Sequence, residues 1–342
     1  MRKLLNTLYV TQENYYITRD RDNIVIKEDG KVIKRFPFRV LEGIVCFSYL
    51  GVSPSAIQLC NETNIALSFL SPYGHFYGRF IGKTNGNVLL RREQYRIADD
   101  DARSIDYVRN SITAKISNSR KYLIRFQRDH RAIINENVFN DTEENLLNMI
   151  YQIQNSSDKD SIRGIEGNAA NTYFSVFNEC ILANKDIFYF EGRSKRPPMD
   201  CVNAMLSFGY SLLTNQCQAA LETVGIDSYV GFFHTDRPGR AGMALDLIEE
   251  FRSYLVDRFV FSLINRKQVN EKHFEIKENG SVFLNEKGRK VFLENWQKRN
   301  ISEITHPYID EKIKIMLLPY VQAQLLAKTI RGEIESYPPF MI

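Results

Sequence analysis

Hydrophobic and polar residues alternate over short runs in the first quarter of the chain. Runs rich in β-branched and aromatic residues lie at 8–10, 15–18, 24–26, 32–38 and 43–48, and each is typical of a strand. Asp29-Gly30, between two of these runs, is a favourable hairpin turn. A short helix is predicted at 53–61, with Ser53 as N-cap and Pro54 in the first turn, before a further strand at 65–70. The pattern predicts a small, mostly antiparallel β domain.

The pattern changes after a polar, glycine-bearing stretch at residues 82–86. Beyond it, apolar residues recur at helical spacing, with Asp141 and Asp200 as candidate N-caps. Helices are predicted at 87–97, 102–130, 141–155, 161–184, 200–224 and 242–264, then a hairpin at 274–284 and a last helix from about 310 to 335. We therefore predict an α+β protein with a β-rich domain at 1–81, a linker at 82–86 and a larger, mainly α-helical domain at 87–342.

The composition narrows the class of protein without identifying it. The chain has 342 residues, of which 44% are hydrophobic, so two domains with a sizeable core are expected. A formal net charge of +4 does not by itself indicate nucleic-acid binding. The five cysteines are widely spaced and form no C-x-x-C pair, which disfavours a disulfide framework or a structural zinc site. With no apolar run long enough to cross a bilayer and no signal-peptide pattern, a cytoplasmic location is expected.

The segment at 231–252 carries an acidic helix. From Ala244 onward, apolar residues recur at i, i+3, i+4 and i+7, and they leave Asp246, Glu249 and Glu250 on the other face. This pattern is compatible with an ordinary amphipathic helix that exposes its acidic side chains to water. The alternative is a set of carboxylates directed into a site, which this segment alone does not favour.

A histidine precedes that helix. His234 ends an apolar segment, and Pro238-Gly239 then forces a turn, so the imidazole is able to fold back toward the first helical turns. The alternative is a histidine that only caps or packs. If it folds back, one imidazole and two or three carboxylates converge.

Glu166 shares a helix face with small and aromatic residues. Ala169, Ala170, Tyr173 and Phe177 follow it at helical spacing, and this stripe is typical of a buried face. A carboxylate buried there has to be protonated, paired or bound to a cation. Two interpretations stay open, namely an ion pair with Arg163 one turn away and a metal ligand.

Glu166, His234 and Glu249 together would form a mixed oxygen and nitrogen site. Such a site suits Mg²⁺ or Mn²⁺, and the imidazole shifts the preference toward Mn²⁺. A divalent ion held there is able to polarise a phosphodiester and activate a hydroxyl or water. The remaining histidines lack acidic neighbours and are expected to be structural or surface residues; they are His75, His130, His273 and His306.

Basic residues cluster around these acidic segments. Residues 115–131 contain six Lys or Arg and a single Asp, with aromatic residues between them. A charge run is often only a solvated helix face, but positive charge beside a carboxylate site also suits the phosphate backbone of DNA. The candidates for phosphate contact are Arg163, Arg193, Lys195, Arg196, Arg237 and Arg240.

Four motifs together resemble a known family, the CRISPR-associated integrase, which is the metal-dependent endonuclease subunit of the spacer-acquisition complex. They are RGIEG at 163–167, GRSKRPP at 192–198, GFFH at 231–234 and LDLIEEFR at 245–252. The resemblance covers essentially the whole chain. LNTLYV at 5–10, LPYVQ at 318–322 and YPPF at 337–340 resemble the branch found with type I systems, with subtype I-C as one candidate. The ending Met341-Ile342 departs from the aromatic end frequent in the family.

The resemblance implies roles for individual residues. It places the metal ligands at Glu166, His234 and Glu249. Asp246 and Glu250 are its candidates for a supporting role, of which Asp246 is the better one. Glu250 is expected to face solvent or a basic neighbour.

The resemblance also implies a fold, a reaction and partners. The fold is a β-sandwich-like N-terminal domain followed by a helical domain that holds Mg²⁺ or Mn²⁺. The reaction is insertion of a short foreign-DNA duplex into a CRISPR array by 3′-hydroxyl attack at the leader–repeat junction. The partners are a second copy of the chain, bound through the β domain, and a small ferredoxin-like companion protein. The alternatives are a structure-selective DNA repair nuclease and a non-catalytic DNA-binding scaffold.

Overall fold

The computed structural model describes residues 6–47, 50–63, 65–71, 76–80 and 87–342. Its strands are β1 (Asn6–Val10), β2 (Tyr15–Asp20), β3 (Asn23–Glu28), β4 (Lys31–Pro37), β5 (Leu41–Cys46), β6 (Ala66–Leu70), β7 (Phe76–Phe80), β8 (Phe274–Ile276), β9 (Val282–Leu284), β10 (Glu303–Thr305) and β11 (Lys312–Lys314). Its α-helices are α1 (Pro54–Glu62), α2 (Val88–Ala98), α3 (Asp101–His130), α4 (Glu136–Gln154), α5 (Lys159–Ser175), α6 (Cys201–Thr223), α7 (Gly242–Glu249), α8 (Arg258–Asn265), α9 (Glu286–Asn300) and α10 (Leu318–Ile330). The predicted α+β fold, with strands first and helices after, is confirmed. The predicted linker at 82–86 lies outside the described residues.

The N-terminal domain contains two sheets. One is an antiparallel sheet in the order β2-β3-β4, and the other is a four-stranded sheet in the order β1-β5-β6-β7. In the larger sheet β5 pairs in parallel with both β1 and β6, and only β7 is antiparallel. Among the described strands of this domain three of the five pairs are antiparallel, so the expectation of a mostly antiparallel domain holds overall, although this sheet is mixed. Its parallel pairs arise because α1 connects β5 to β6 as a crossover, and because the β2-β3-β4 meander separates β1 from β5.

The two sheets share one apolar core with α1. Ile17 and Ile24 of the antiparallel sheet and Ile44 of the larger sheet have no exposed surface, and Ala56 of α1 is equally buried. Full burial of an aliphatic side chain of this size is worth about 1.5–3 kcal/mol. This shared core makes the domain sandwich-like, as the sequence resemblance implies.

The larger sheet turns its other face toward the helical domain. Val45, Phe47 and Leu70 belong to the apolar core of that domain, and the Phe47 ring stacks on Phe208 of α6 with 6.1 Å between ring centroids. Beside this contact, the buried Ser68 hydroxyl lies 2.9 Å from the amide oxygen Oδ1 of Asn215. The two domains are thus joined by packing along α6.

Helix α3 runs for 30 residues through the helical domain and packs against α4, α5 and α7. Asp100 caps its N-terminus by accepting from the backbone N–H groups of Ala102 and Arg103. Because α5 and α7 both contact α3, side chains from these three helices meet in one place. Within the described residues, no helix combines the length and apolar character needed to cross a bilayer.

Several predicted helix ends differ from the structure. Helix α4 begins at Glu136 after the N-cap Asn135, so the prediction of Asp141 as N-cap is wrong, whereas Asp200 does cap α6 by accepting from the backbone N–H of Asn203 at 2.7 Å. Helix α5 ends at Ser175 instead of reaching residue 184. Beyond its end, the side-chain amide of Asn178 bonds both the backbone carbonyl and the backbone N–H of Phe190, which links the two ends of the loop between them.

The predicted helix at 242–264 is interrupted in the structure. Helix α7 stops at Glu249, a π-helical segment follows at Arg252–Asp257, and α8 continues to Asn265. Such an insertion shifts the helical register by one residue, but the apolar residues on both sides of it, Leu247 and Leu255 among them, stay buried. The interruption falls next to the predicted ligand Glu249.

The last part of the chain contains one helix more than predicted. Helix α9 buries Phe292 and Trp296, and Asn285 caps it by accepting from the backbone N–H of Gly288 at 3.0 Å. The predicted hairpin at 274–284 is present as β8 and β9, whereas the final helix begins only at Leu318, after β10 and β11.

Candidate metal and DNA site

The three residues proposed from sequence as metal ligands line one pocket of about 170 Å³. Helix α3 contributes Lys115, α5 contributes Glu166, and α7 contributes Glu249 at its C-terminal end. His234 enters from the loop that precedes α7. The other polar or charged residues that line the pocket are Ser119, Tyr173, Arg193, Lys195, Tyr210, Arg252 and Asp257.

His234 is oriented by Asp246. The carboxylate Oδ1 of Asp246 lies 2.6 Å from the imidazole Nδ1 and accepts the backbone N–H of His234 at 3.0 Å. Its Oδ2 accepts the backbone N–H groups of Phe232 and Phe233 at 2.6 and 2.9 Å. A carboxylate at Nδ1 favours the tautomer that carries its proton there, so Nε2 keeps its lone pair. Asp246 is thus a hydrogen-bond partner of the imidazole, and its supporting role at a metal site stays a prediction.

The loop approaches α7 so closely that a side chain at Gly231 would not fit. A Cβ at this position would lie 2.8 Å from the backbone carbonyl carbon of Gly242 and 2.9 Å from Oδ2 of Asp246. The missing side chain lets the three backbone N–H groups reach the Asp246 carboxylate. The glycine that opens the GFFH motif is thus a requirement for the orientation of the histidine.

Glu249 is a buried carboxylate held in its charged form. Only 4% of its surface is exposed. Burial alone would raise the pKa of Glu249, but the charges of Arg252 and Lys115 outweigh burial, and the pKa is lowered to about 2. Arg252 lies 3.0 Å from Oε1, and the imidazole Nε2 of His234 lies 4.0 Å from the same oxygen.

Glu166 is paired with a cation, although not with the one expected. Its Oε1 accepts a short hydrogen bond from the Lys115 ammonium, which also lies 2.7 Å from Oε2 of Glu249. Arg163 instead pairs with Asp160 and donates to the backbone carbonyl of Phe233 at 3.1 Å. The ion-pair interpretation is therefore correct in kind, but its partner comes from α3, 51 positions away along the chain.

The donor atoms present suit a hard divalent ion. Two carboxylates and one imidazole nitrogen face the pocket, and Oε2 of Glu249 is buried without a hydrogen-bond donor of good geometry. In this arrangement, no three acidic, histidine or cysteine side chains of the described residues stand close enough to share an ion. The ammonium of Lys115 lies between the two glutamates.

Glu250 does not face solvent or a basic neighbour, so that expectation is wrong. Its side chain is fully buried, and its carboxylate accepts from the Tyr337 hydroxyl at 2.5 Å, from the Gln322 side-chain amide at 3.0 Å and from the backbone N–H of Phe340. Burial raises the pKa of Glu250 to about 7 although these hydrogen bonds lower it. The C-terminal segment folds back over α7 and covers this residue.

The predicted phosphate-binding cations divide into two groups. Arg193 and Lys195 line the pocket, and the Arg193 guanidinium donates to Asn203 and Ser207 and lies over the ring of Tyr210 at 5.3 Å. Burial lowers the pKa of Arg193 and of Lys195. The remaining four lie outside the pocket lining, and all but the half-buried last one are exposed; they are Arg163, Arg196, Arg237 and Arg240.

The pocket contains a second buried carboxylate, Asp257, which the sequence patterns do not indicate. Asp257, at the end of the π-helical segment, accepts from the hydroxyls of Tyr210 at 2.5 Å and Tyr173 at 3.1 Å. Burial raises the pKa of Asp257 to about 6. Arg252 lies 4.9 Å above the Tyr210 ring, so this cluster supports the cation that pairs with Glu249. No local pattern reveals it, because its members lie 47 and 84 positions apart.

The chain thus combines a two-sheet N-terminal domain with a helical domain whose pocket is lined by two carboxylates and an imidazole, Glu166, Glu249 and His234. The family model described as CRISPR associated protein Cas1 matches residues 8–298, and the chain belongs to that family. The chain is 44% identical over 341 residues to a protein of Chlorobaculum tepidum named "CRISPR-associated endonuclease Cas1 1", a match that covers 100% of this chain and 99% of the relative. The family predicted from the sequence motifs is confirmed.

Solved structures share the fold. A "Casposase bound to integration product" superposes with a TM-score of 0.84 at 22% identity, covering 98% of this chain and 93% of the other. A chain of a "Cas6-RT-Cas1--Cas2 complex" gives a TM-score of 0.83 at 22% identity over 99% of this chain, which spans 36% of that longer chain. The fold shared with these structures therefore includes both domains of this chain.

Proposed function

We propose that this protein inserts short foreign-DNA duplexes as new spacers into a CRISPR array, in a reaction that depends on a divalent ion. The observation that carries the proposal is the convergence of Glu166, His234 and Glu249 on one pocket, in a chain of this family. The Chlorobaculum tepidum relative is named an endonuclease, and the similar casposase is bound to an integration product. Strand transfer and hydrolytic cleavage are the same chemistry with different nucleophiles.

The metal would be held by Glu166, by Nε2 of His234 and by Glu249. Mg²⁺ and Mn²⁺ both accept such donors, and the imidazole favours Mn²⁺. When bound there, the ion supplies Lewis acidity to the scissile phosphodiester. Asp246 keeps the imidazole in the tautomer that leaves Nε2 available, and Arg252 balances the charge of Glu249.

The reaction needs no covalent nucleophile from the protein. A 3′-hydroxyl loses its proton and forms a bond to phosphorus. The bond from phosphorus to the leaving 3′ oxygen breaks and that oxygen takes up a proton, so the numbers of phosphodiesters and of hydroxyls are unchanged. The protein contributes by holding the two strands in line for attack. Arg193 and Lys195 at the pocket are suited to the phosphate near the reacting atoms. Arg163, Arg196, Arg237 and Arg240 are suited to the flanking backbone.

The proposed partners follow from the family and from the complexes of similar chains. They are a second copy of this chain, bound through the β domain, and a small ferredoxin-like companion protein, in the cytoplasm. In support of a companion protein, a chain of similar fold belongs to a structure titled "Cas6-RT-Cas1--Cas2 complex". Size-exclusion chromatography with light scattering, run with and without the companion, tests both contacts.

Alanine substitution of the ligands tests the reaction. Glu166→Ala and His234→Ala should each abolish transfer of a labelled prespacer into a plasmid that carries a leader and repeat, with Mn²⁺ or Mg²⁺ present. Glu144→Ala, which removes an exposed carboxylate from α4, is the matched control and should leave transfer unchanged. Wild-type transfer by both pocket variants would contradict the assignment.

Two further results separate this function from its alternatives. Integration that requires the companion protein supports the integrase, whereas metal-dependent cleavage without any integration product would indicate a structure-selective repair nuclease. A DNA-binding scaffold predicts that EDTA leaves every activity unchanged. Two carboxylates and an imidazole that line the same pocket favour a site that binds a cation over such a scaffold.

A further inference from the structure

We propose that Lys115 is an exchangeable cation of the metal site. Its ammonium neutralises Glu166 and Glu249 when no divalent ion is bound, and it leaves this position when the ion enters. This inference rests on the metal site of the proposed function. It assigns Lys115 a role in controlling how tightly the site binds its ion.

The ammonium and a divalent ion compete for the same space. The Lys115 ammonium donates to Oε1 of Glu166 and lies 2.7 Å from Oε2 of Glu249, so it bridges one oxygen of each carboxylate. A Mg²⁺ ion bound by these carboxylates would sit roughly 2.0–2.1 Å from their oxygens. An ion at that distance from these two oxygens would overlap the ammonium, so the two cations exclude each other at this position.

Charge balance explains why the Lys115 ammonium lies between Glu166 and Glu249. Glu249 is 4% exposed, and an unpaired carboxylate that is so deeply buried is costly. Arg252 compensates Oε1 of Glu249 at 3.0 Å, but Glu166 and Oε2 of Glu249 have Lys115 as their cationic neighbour. Lys115 therefore supplies the charge that the divalent ion would otherwise supply.

The lysine is better able to move than the neighbouring arginine. Arg252 is held by Glu249 on one side and by the face of Tyr210 at 4.9 Å on the other. Lys115 carries its charge on a flexible four-carbon chain beside a pocket of about 170 Å³. Entry of a divalent ion should therefore displace Lys115 and leave Arg252 in contact with Glu249.

This exchange has a measurable consequence. Each ion that binds has to break the contacts of Lys115 with two carboxylates, which weakens the apparent affinity. Lys115→Met keeps the length of the side chain and removes the charge. Because a unit charge this close to two carboxylates competes with the ion even with partial screening, the variant should bind Mn²⁺ roughly tenfold more tightly, or better.

The experiment measures Mn²⁺ binding in the absence of DNA, by electron paramagnetic resonance of the free ion. It compares the wild type, Lys115→Met, Glu166→Ala and Lys121→Met, the last of which removes an exposed charge from the same helix. Lys115→Met should bind more tightly, and Lys121→Met should bind like the wild type. In thermal unfolding, Lys115→Met should melt at a lower temperature than the wild type without metal and gain more from added Mn²⁺.

The outcomes separate the inference from the function on which it rests. If the wild type and Glu166→Ala bind Mn²⁺ alike, the proposed metal site itself is wrong. If Glu166→Ala loses the ion but Lys115→Met binds no more tightly than the wild type, the site stands and the exchange is overturned. Lys115→Gln, which retains a hydrogen-bond donor, provides the same comparison if the methionine variant does not fold.

Discussion

The imidazole Nδ1 of His234 lies 2.6 Å from the Asp246 carboxylate, which also accepts three consecutive backbone N–H groups of the same loop. One carboxylate thus sets both the path of the loop and the orientation of the ring. The free Nε2 faces Glu249 across 4.0 Å. The histidine is presented to the pocket by residues that do not touch the proposed ion.

Asp246→Asn tests this arrangement. The amide is a weaker partner for Nδ1 and lacks one of the two acceptor oxygens, so affinity for Mn²⁺ should fall by about 10- to 100-fold. Asp236→Asn, at an exposed position in the same loop, should bind as the wild type does. Calorimetric titration of both variants provides the comparison, and equal affinities would show that Asp246 does not orient the ligand.

The C-terminal segment should stabilise the fold through Glu250. Tyr337→Phe removes the hydroxyl that donates to this buried carboxylate at 2.5 Å, which should lower the free energy of unfolding by about 1–3 kcal/mol. Tyr308→Phe, whose side chain is exposed, is the control. Urea unfolding followed by fluorescence measures the stability of both variants. Equal stability of Tyr337→Phe and the control would show that this hydrogen bond does not stabilise the fold.

Glu250 should also make stability depend on pH. Burial raises its pKa from 4.5 to about 7, so the folded protein holds this proton more tightly than the unfolded chain. This contribution is complete below about pH 4.5 and is lost as the pH rises through about 7. Asp257, whose pKa is raised to about 6, acts with the same sign at lower pH.

The test compares the wild type with Glu250→Gln at pH 5 and pH 8. The wild type should lose more stability between these values, with the difference between the proteins on the order of 1–3 kcal/mol. Glutamine keeps an acceptor for Tyr337 and does not titrate. Equal losses in the two proteins would mean that Glu250 titrates near its ordinary pKa.

The exposed arginines should differ from Arg193 in their effect on DNA binding. Arg196→Ala and Arg237→Ala each remove one candidate phosphate contact, so the slope of log affinity against log salt should decrease by about 1 in each. Lys298→Ala, on the surface of α9, should leave the slope unchanged. Fluorescence anisotropy over a salt series measures this, and slopes equal to that of the wild type would exclude both arginines from the interface.

Arg193→Ala should lower protein stability as well as DNA affinity. Its guanidinium donates to Asn203 and Ser207 and packs on Tyr210, so removing it leaves those partners unsatisfied. A loss of affinity without a lower melting temperature would indicate that Arg193 serves the DNA alone.

Local patterns were sufficient for part of this site. Glu166 stands out because a carboxylate follows the period of a buried face, and His234 because a turn separates it from an acidic helix. Asp246, the partner of the histidine, lies only 12 positions after it, so a turn between the loop and the helix is enough to bring the two side chains together. These are relationships along one element or between adjacent ones.

The remaining features depend on contacts across the fold. Lys115 and Glu166 are 51 positions apart, and no periodicity relates a residue of α3 to one of α5. Glu250 was expected at the surface because the sequence pattern of its helix is amphipathic. It is buried because a segment that contains Tyr337, 87 positions later, covers it. The π-helical segment after Glu249 likewise cannot be predicted from the sequence, because the periodic pattern of apolar residues continues through it.

The central claim is that Glu166, His234 and Glu249 hold one divalent ion in the pocket. Crystals grown with Mn²⁺ and measured at the manganese absorption edge test it most directly. The account predicts one anomalous peak in contact with both carboxylates and with Nε2 of His234, with the Lys115 ammonium moved away from Glu166. A manganese peak elsewhere, or none in this pocket with Lys115 still bridging the two glutamates, would contradict it.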